Sequence, residues 1–101
     1  MKSLPIILPL DAVGEFCRRN GIRRLALFGS VLRDDFTPDS DVDFLVEYAP
    51  EARVGLFDLV GMELELSEIL GRKADLNTAG CLSRYFVDEV LREAVPIYVA
   101  A

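Results

Sequence analysis

The chain has 101 residues, of which 51% are hydrophobic and 28% charged, with a formal net charge of −6. This length and apolar content predict a single domain over residues 1–101 and exclude a disordered chain. The negative charge disfavours direct binding to nucleic-acid backbones. The absence of histidine excludes histidine-based zinc sites, Ser-His-Asp triads and histidine general bases. Any chemistry must use carboxylates, hydroxyls, lysine, arginine or a metal bound by oxygen.

The first ten residues are apolar but do not have the pattern of a secretion signal. Pro5 and Pro9 interrupt the run, and Asp11 ends it without a small-residue cleavage site. No stretch approaches the ~20 apolar residues that a membrane span needs. We therefore expect a cytoplasmic protein without membrane contact. Cys17 and Cys81 form no CxxC motif, and we expect both to be free, buried thiols.

Hydrophobic periodicity and turn residues predict alternating helices and short strands. In chain order we expect a helix at 10–20, a strand at 23–28, a turn-rich segment at 34–40, a strand at 41–48, a helix at 54–70, a strand at 73–77, a helix at 84–94 and a strand or tail at 97–99. Ser83 is a candidate cap and Pro96 a stop for the last helix. The long helix is expected to bury one face, made of Leu56, Leu59, Val60, Glu63, Leu66 and Leu70. This order predicts an α/β fold in two layers, a small mixed sheet with helices packed on it.

Gly29 and Ser30 stand between the first predicted strand and a short helix. Glycine lets the backbone approach an anion closely, and the serine hydroxyl and the following N–H groups can donate to phosphate. The same dipeptide is common as a plain turn at the end of a strand. At this point both interpretations stay open.

The segment 40–43, Ser-Asp-Val-Asp, opens the second predicted strand. Asp41 and Asp43 are two residues apart, so they project from one face about 7 Å apart along the strand. Two such carboxylates repel, and Mg²⁺ relieves the repulsion while also binding substrate phosphates. A solvated polar strand face is the alternative. A calcium loop is excluded, because Phe44 and Pro50 stand where it needs glycine and glutamate.

Asp75 lies in a short, apolar-flanked strand, Lys-Ala-Asp-Leu-Asn. Apolar surroundings rarely hold an aspartate without a partner. If this strand lies beside the strand of Asp41, the three carboxylates converge. An exposed aspartate near a turn is the alternative.

The stretch 28–46, FGSVLRDDFTPDSDVDFLV, combines G-S-x-x-R with S-D-x-D on the next strand. Together with the later Asp75, it resembles the DNA polymerase beta-type nucleotidyltransferase superfamily. At this length the chain is similar to the minimal nucleotidyltransferases, which include antitoxins paired with HEPN toxins. The resemblance covers residues 21–99. It departs from many relatives around Arg33, where Leu32 and Asp34 replace small residues.

The resemblance implies a role for each matching residue. Gly29 and Ser30 would cradle the triphosphate of ATP. Asp41 and Asp43 would bind two Mg²⁺ ions that bridge the phosphates and stabilise charge at the reacting phosphorus. Asp75 would bind one of these ions and help to deprotonate the attacking hydroxyl.

Two further residues receive looser roles from the same resemblance. Arg33 would contact phosphate or position the loop, with a surface ion pair to Asp34 or Asp35 as the alternative. Ser40 would cap the entry to the strand and could contact phosphate. Asp34, which follows Arg33, would place a negative charge near the triphosphate and is mildly unfavourable there. The contacts that the loop around Arg33 makes with phosphate therefore stay open.

The length also bears on the molecule that receives the nucleotide. About 100 residues leave no room for a separate domain that binds such an acceptor. The resemblance implies transfer of AMP from ATP to a hydroxyl, in this family a tyrosine of a HEPN toxin, which silences the toxin. The chain would then form a hetero-oligomer with the toxin, and a homo-oligomer stays open. One alternative is a catalytically silent antitoxin that acts by binding, through residues 56–70 and 96–101. Another is transfer to a small hydroxylated molecule.

Overall fold

The computed structural model describes residues 6–33, 36–37 and 39–100. Within them lie helices α1 (Leu10–Arg19), α2 (Leu56–Leu70) and α3 (Val87–Glu93), and strands β1 (Ile22–Phe28), β2 (Val42–Tyr48), β3 (Ala74–Asn77) and β4 (Val95–Val99). Short 3-10 helices occupy Gly29–Leu32 and Ala79–Cys81. The strands form a sheet in the order β3-β2-β1-β4, in which β2 and β3 are parallel and the other pairs antiparallel. The predicted α/β class with a mixed sheet is confirmed.

The hydrophobic core lies between one face of the sheet and helices α1 and α2. Apolar residues at helical spacing place Val13, Phe16 and Cys17 of α1 in this core with no solvent exposure. In β2, Val42, Phe44 and Val46 alternate with more polar residues and face the same core. Because strand side chains alternate between faces, the remaining residues of β2 are directed to the opposite face of the sheet.

The long helix buries a narrower face than the sequence predicts. Of the six residues expected on that face, Leu56 and Val60 are 73% and 45% exposed. The buried residues of α2 are Leu66, as predicted, and Met62, which the predicted face does not include. The helix begins at Leu56 rather than at residue 54, and Gly71 ends it in the left-handed conformation, as predicted. Since the helix packs near the edge of a small sheet, only part of its apolar surface is covered.

The C-terminal region differs most from the prediction. Helix α3 begins at Val87 rather than at residue 84, and Ser83 does not cap it: its hydroxyl accepts a hydrogen bond from the Tyr85 N–H at 3.3 Å. Pro96 does not simply stop the helix but lies inside β4, which begins at Val95. Because β4 is an edge strand, the missing proline N–H is tolerated there.

Other predictions concern the thiols and the chain segments outside the core. Cys17 is buried as expected, but Cys81 is exposed, so the prediction of two buried thiols is wrong for Cys81. The turn predicted at 34–40 and the apolar start at 1–10 fall partly outside the described residues. Across the part of the chain that is described, no helix combines the length and apolar character needed to cross a membrane.

Candidate functional site

The polypeptide turns sharply at Gly29, directly after β1, and comes close to Asp43. Gly29 has a φ of +79°, a left-handed conformation that residues with a side chain rarely adopt. A Cβ atom at this position would lie 2.6 Å from Asp43 Oδ2, well inside van der Waals contact. Glycine is therefore required both for the backbone conformation and for the approach of the Asp43 carboxylate.

Asp43 and Asp75 lie side by side on neighbouring strands. In the parallel pairing of β2 with β3, Asp43 is the register partner of Asp75, and in the antiparallel pairing with β1 it faces Phe28. Register partners direct their side chains to the same face of a sheet. The structure thus brings together, at the end of β1, the two carboxylates and the backbone of Gly29.

Asp41 precedes β2 and completes the acidic group. The Val42 N–H donates to the Lys73 carbonyl at 2.9 Å, which aligns the starts of β2 and β3. Lys73 Nζ lies 3.6 Å from Asp41 Oδ2, an ion pair on the surface. The negative charge of Asp41 raises the pKa of both Asp43 and Asp75, so Asp41 acts on both carboxyl groups. Asp41, Asp43 and Asp75 therefore form one cluster, as the sequence predicts if the two strands are neighbours.

The other predicted site residues lie on the connection between β1 and β2. They are Ser30, Arg33 and Ser40. Ser30 is half-buried in the 3-10 helix, and its carbonyl accepts a hydrogen bond from the Arg33 N–H at 2.9 Å. The positive charge of Arg33 acts on Asp43, since it lowers the pKa of that carboxyl. Ser40 Oγ accepts a hydrogen bond from the Thr37 N–H at 3.0 Å, so this hydroxyl closes a turn before β2.

Burial and mutual repulsion perturb the acidic cluster. Burial raises the pKa of Asp43 above its ordinary value, and the charges of Asp75 and Asp41 raise it further against the lowering effect of Arg33. Burial also raises the pKa of Asp75; Lys73 opposes this shift, while Asp41 and Glu63 reinforce it. Carboxylates that resist ionisation because of one another are a natural site for a cation.

The donor set of the cluster fits Mg²⁺. Among residues 6–33, 36–37 and 39–100, no three Asp, Glu, His or Cys side chains form a ready-made metal cage. Mg²⁺ does not require one, because it commonly binds one or two carboxylates and completes its shell with water and substrate phosphates. Asp41, Asp43 and Asp75 supply the hard oxygen donors that this ion prefers.

Three neighbouring residues escaped the sequence analysis. Lys73 pairs with Asp41, and Glu63 and Ser67 of α2 hydrogen-bond to the backbone of β3 beside Asp75. Glu63 was instead assigned to the apolar face of the helix. A signal was present, because a glutamate and a serine at i, i+4 spacing interrupt an otherwise apolar helix face.

Comparison with known proteins shows which family the chain belongs to. The model of the family described as nucleotidyltransferase domain matches residues 11–97. A Methanocaldococcus jannaschii protein provisionally named as a protein adenylyltransferase is 34% identical over 96 residues, 95% of this chain and 90% of that protein. Protein adenylyltransferase MntA of Thermococcus cleftensis is 36% identical over 81 residues, 80% of each chain.

Solved structures share the fold. One, provisionally described as a minimal nucleotidyltransferase, is 36% identical, with a TM-score of 0.71 over 86% of this chain and 87% of that one. A complex of a tri-AMPylated Shewanella oneidensis HEPN toxin with its MNT antitoxin gives a TM-score of 0.65 at 16% identity, over 90% of this chain and 70% of that one. At that identity the second match shows the fold alone. The chain belongs to the nucleotidyltransferase domain family of enzymes.

Proposed function

We propose that this chain, as a single minimal domain over residues 1–101, transfers AMP from ATP to a hydroxyl of a partner protein. The observation that carries the proposal is the pairing of Asp43 with Asp75 in one register, with the Gly29 backbone against Asp43. This arrangement joins a loop suited to phosphate with a cation site, as nucleotidyl transfer requires. Two relatives that are named as protein adenylyltransferases support the same reaction.

Each residue of the site has a defined task in this proposal. Gly29 and Ser30 bind the triphosphate through backbone N–H groups and the serine hydroxyl. Asp41 and Asp43, together with Asp75, would hold two Mg²⁺ ions, and the bound ions would supply the positive charge that stabilises the reacting phosphate. Arg33 faces the triphosphate, and Ser40 holds the entry to β2, with its hydroxyl directed at phosphate when the nucleotide is bound.

The transfer itself is one displacement at the α-phosphorus of ATP. The acceptor oxygen forms a bond to that phosphorus, and the bond from phosphorus to the oxygen bridging the α- and β-phosphates breaks. Pyrophosphate leaves, and AMP remains as a phosphodiester on the acceptor. The acceptor proton passes to Asp75, directly or through the bound metal, because Asp75 lies beside Asp43 in the paired strands.

The partner in this proposal is a HEPN toxin, and the acceptor is a tyrosine hydroxyl on it. Support comes from the fold shared with an MNT antitoxin solved together with an AMPylated HEPN toxin. The chain then acts as an antitoxin in a hetero-oligomer, in the cytoplasm where ATP is abundant.

A growth assay separates a catalytic antitoxin from one that acts by binding alone. The protein encoded beside this chain, which we propose to be a HEPN toxin, is co-expressed with the wild type or with Asp41→Asn/Asp43→Asn. We expect the wild type to restore growth and the variant to fail while still co-purifying with its partner. Asn is nearly the same size as Asp, so it removes the charge and leaves the surface shape intact.

The control variant also loses two negative charges, but at positions outside the acidic cluster. Asp88→Asn/Glu89→Gln changes two exposed acidic residues at the start of α3 and should protect as well as the wild type. Protection by Asp41→Asn/Asp43→Asn equal to that of the wild type would reject catalysis as the basis of neutralisation and favour occlusion.

A further inference from the structure

We infer that Glu63 and Ser67 of α2 are positioning residues for Asp75, and that they act by clamping the free edge of β3. The inference rests on the proposed function for its kinetic consequence, but its structural part does not. We call these two side chains the edge clamp. Neither residue belongs to the motif through which the chain resembles its family.

Three hydrogen bonds make up the edge clamp. The Leu76 N–H donates to Glu63 Oε2 at 2.8 Å, and the Ala74 N–H donates to Ser67 Oγ at 2.9 Å. The Ser67 hydroxyl in turn donates to the Glu63 carbonyl at 2.6 Å, which ties the two clamp residues together. The clamp thus holds the residues immediately before and after Asp75.

Strand β3 needs such support because it is short and lies at the edge of the sheet. It has four residues and pairs on one side only, with β2. Alternate N–H groups of a strand point to opposite edges, so those of Ala74 and Leu76 point away from β2. Without acceptors from α2 these two donors would be unpaired or exposed to water, and the strand would fray.

Fraying of β3 would act on one part of the site only. Asp75 is directed from β3 to the face that it shares with Asp43, whereas Gly29, Ser30, Asp41 and Asp43 belong to β1, β2 and their connection. In the proposed reaction Gly29, Ser30, Asp41 and Asp43 make the main contacts to ATP and its metal ions, whereas Asp75 joins one metal ion and receives the acceptor proton. Loss of the clamp should therefore slow transfer without weakening the binding of ATP.

Within the edge clamp the Glu63 carboxylate acts as a hydrogen-bond acceptor, whereas its charge contributes less to the raised pKa of Asp75 than burial and Asp41 do. Glutamine keeps an oxygen at the same distance along the side chain, so Glu63→Gln should retain the bond to the Leu76 N–H. Methionine has a similar length but no oxygen acceptor. The pair Glu63→Gln and Glu63→Met therefore separates hydrogen bonding from charge and bulk.

The experiment measures AMP transfer and amide hydrogen exchange on both variants of the full chain. We expect Glu63→Met to lower kcat about 10-fold, the lower end of the effect of outer-shell partners, with KM for ATP unchanged. Its amides at 74–77 should exchange faster than in the wild type. Glu63→Gln should match the wild type in both measurements. Glu65→Ala, on the same helix but paired with Arg19, is the control and should change neither.

Two results would overturn the inference. Equal loss of kcat in Glu63→Gln and Glu63→Met would show that Glu63 acts through its charge. Unchanged exchange at 74–77 in Glu63→Met would show that the clamp does not hold β3. The second measurement needs no activity, so it decides the clamp even if the wild type transfers no AMP and the proposed function fails.

Discussion

At the scale of single residues, Gly29 illustrates how far the sequence can predict this site. The Gly-Ser dipeptide after a strand leaves both a plain turn and a phosphate loop open. The structure adds the contact with Asp43, which lies fourteen residues after Gly29 in the sequence and is brought beside it by the pairing of β1 with β2. Such a contact depends on strand register, which no local pattern specifies.

Replacement of Gly29 tests this contact. In Gly29→Ala the added Cβ would clash with Asp43 Oδ2, and the left-handed backbone would cost about 1–2 kcal/mol. We expect AMP transfer to fall by about 100-fold, as displacements of about 1 Å can cause. Transfer kinetics and urea unfolding measure the two effects separately.

Gly71→Ala is the matched control, since Gly71 has a φ of +73° and no atom within 4 Å of its added Cβ. It should lose a similar free energy of unfolding and keep its activity. If the two variants lost activity equally, strain alone would explain Gly29, and the contact with Asp43 would have no role.

The two cysteines give a prediction about reactivity. Burial raises the pKa of the Cys17 thiol to about 12, so almost no thiolate forms near neutral pH. Cys81 is exposed, and its sulfur accepts a hydrogen bond from the Thr78 hydroxyl at 3.2 Å. A thiol reagent at pH 8 should modify Cys81 rapidly and reach Cys17 only after unfolding. Rapid modification of Cys17 in the folded protein, located by peptide mass, would contradict its burial.

At the scale of elements, periodicity predicts α1 and β2 well, because their apolar residues pack against a single core. It fails at the start of α3, which contributes no buried residue and whose limits therefore depend on weak local preferences. It also misplaces part of the apolar face of α2, where Leu56 matches the period yet is 73% exposed. Period alone cannot tell which apolar residues a small sheet has room to cover.

Helix α2 permits a direct test of its buried face. Leu66 has no solvent exposure, and Leu64 of the same helix is 65% exposed. We expect Leu66→Ala to lower the free energy of unfolding by about 2–5 kcal/mol through lost burial and a residual cavity. Leu64→Ala should change it by less than about 0.5 kcal/mol. Denaturant unfolding measures both, and equal losses would mean that α2 packs with a different face against the sheet.

The sequence predicts Asp75 more securely than it predicts what holds Asp75 in place. The aspartate can be read directly from the apolar strand that carries it, and the pairing of β3 with β2 sets it beside Asp43. The hydrogen bonds from β3 to Glu63 and Ser67 depend on how α2 lies along the sheet edge. That geometry follows from packing between distant segments, which the spacing of residues in α2 does not encode.

At the scale of the whole molecule, the order of elements and the family motif agree with one another. The motif segment 28–46 runs from the end of β1 into β2, and the parallel β3 returns beside β2, so the acidic residues meet because of this topology. The net charge of −6 remains a reason to expect a protein rather than a nucleic acid as acceptor.

In the proposed function, the carboxylates of β2 and β3 form one site that moves AMP onto a partner protein. The decisive experiment is intact-mass spectrometry of the protein encoded beside this chain, proposed to be a HEPN toxin, after incubation with this chain, Mg²⁺ and ATP. We predict a mass increase of one or more adenylyl groups, located on tyrosine by peptide mapping. The increase should be absent with Asp43→Asn or Asp75→Asn and present with Asp88→Asn/Glu89→Gln. An unchanged partner mass with the wild type, in a complex that forms equally well with both site variants, would contradict the account.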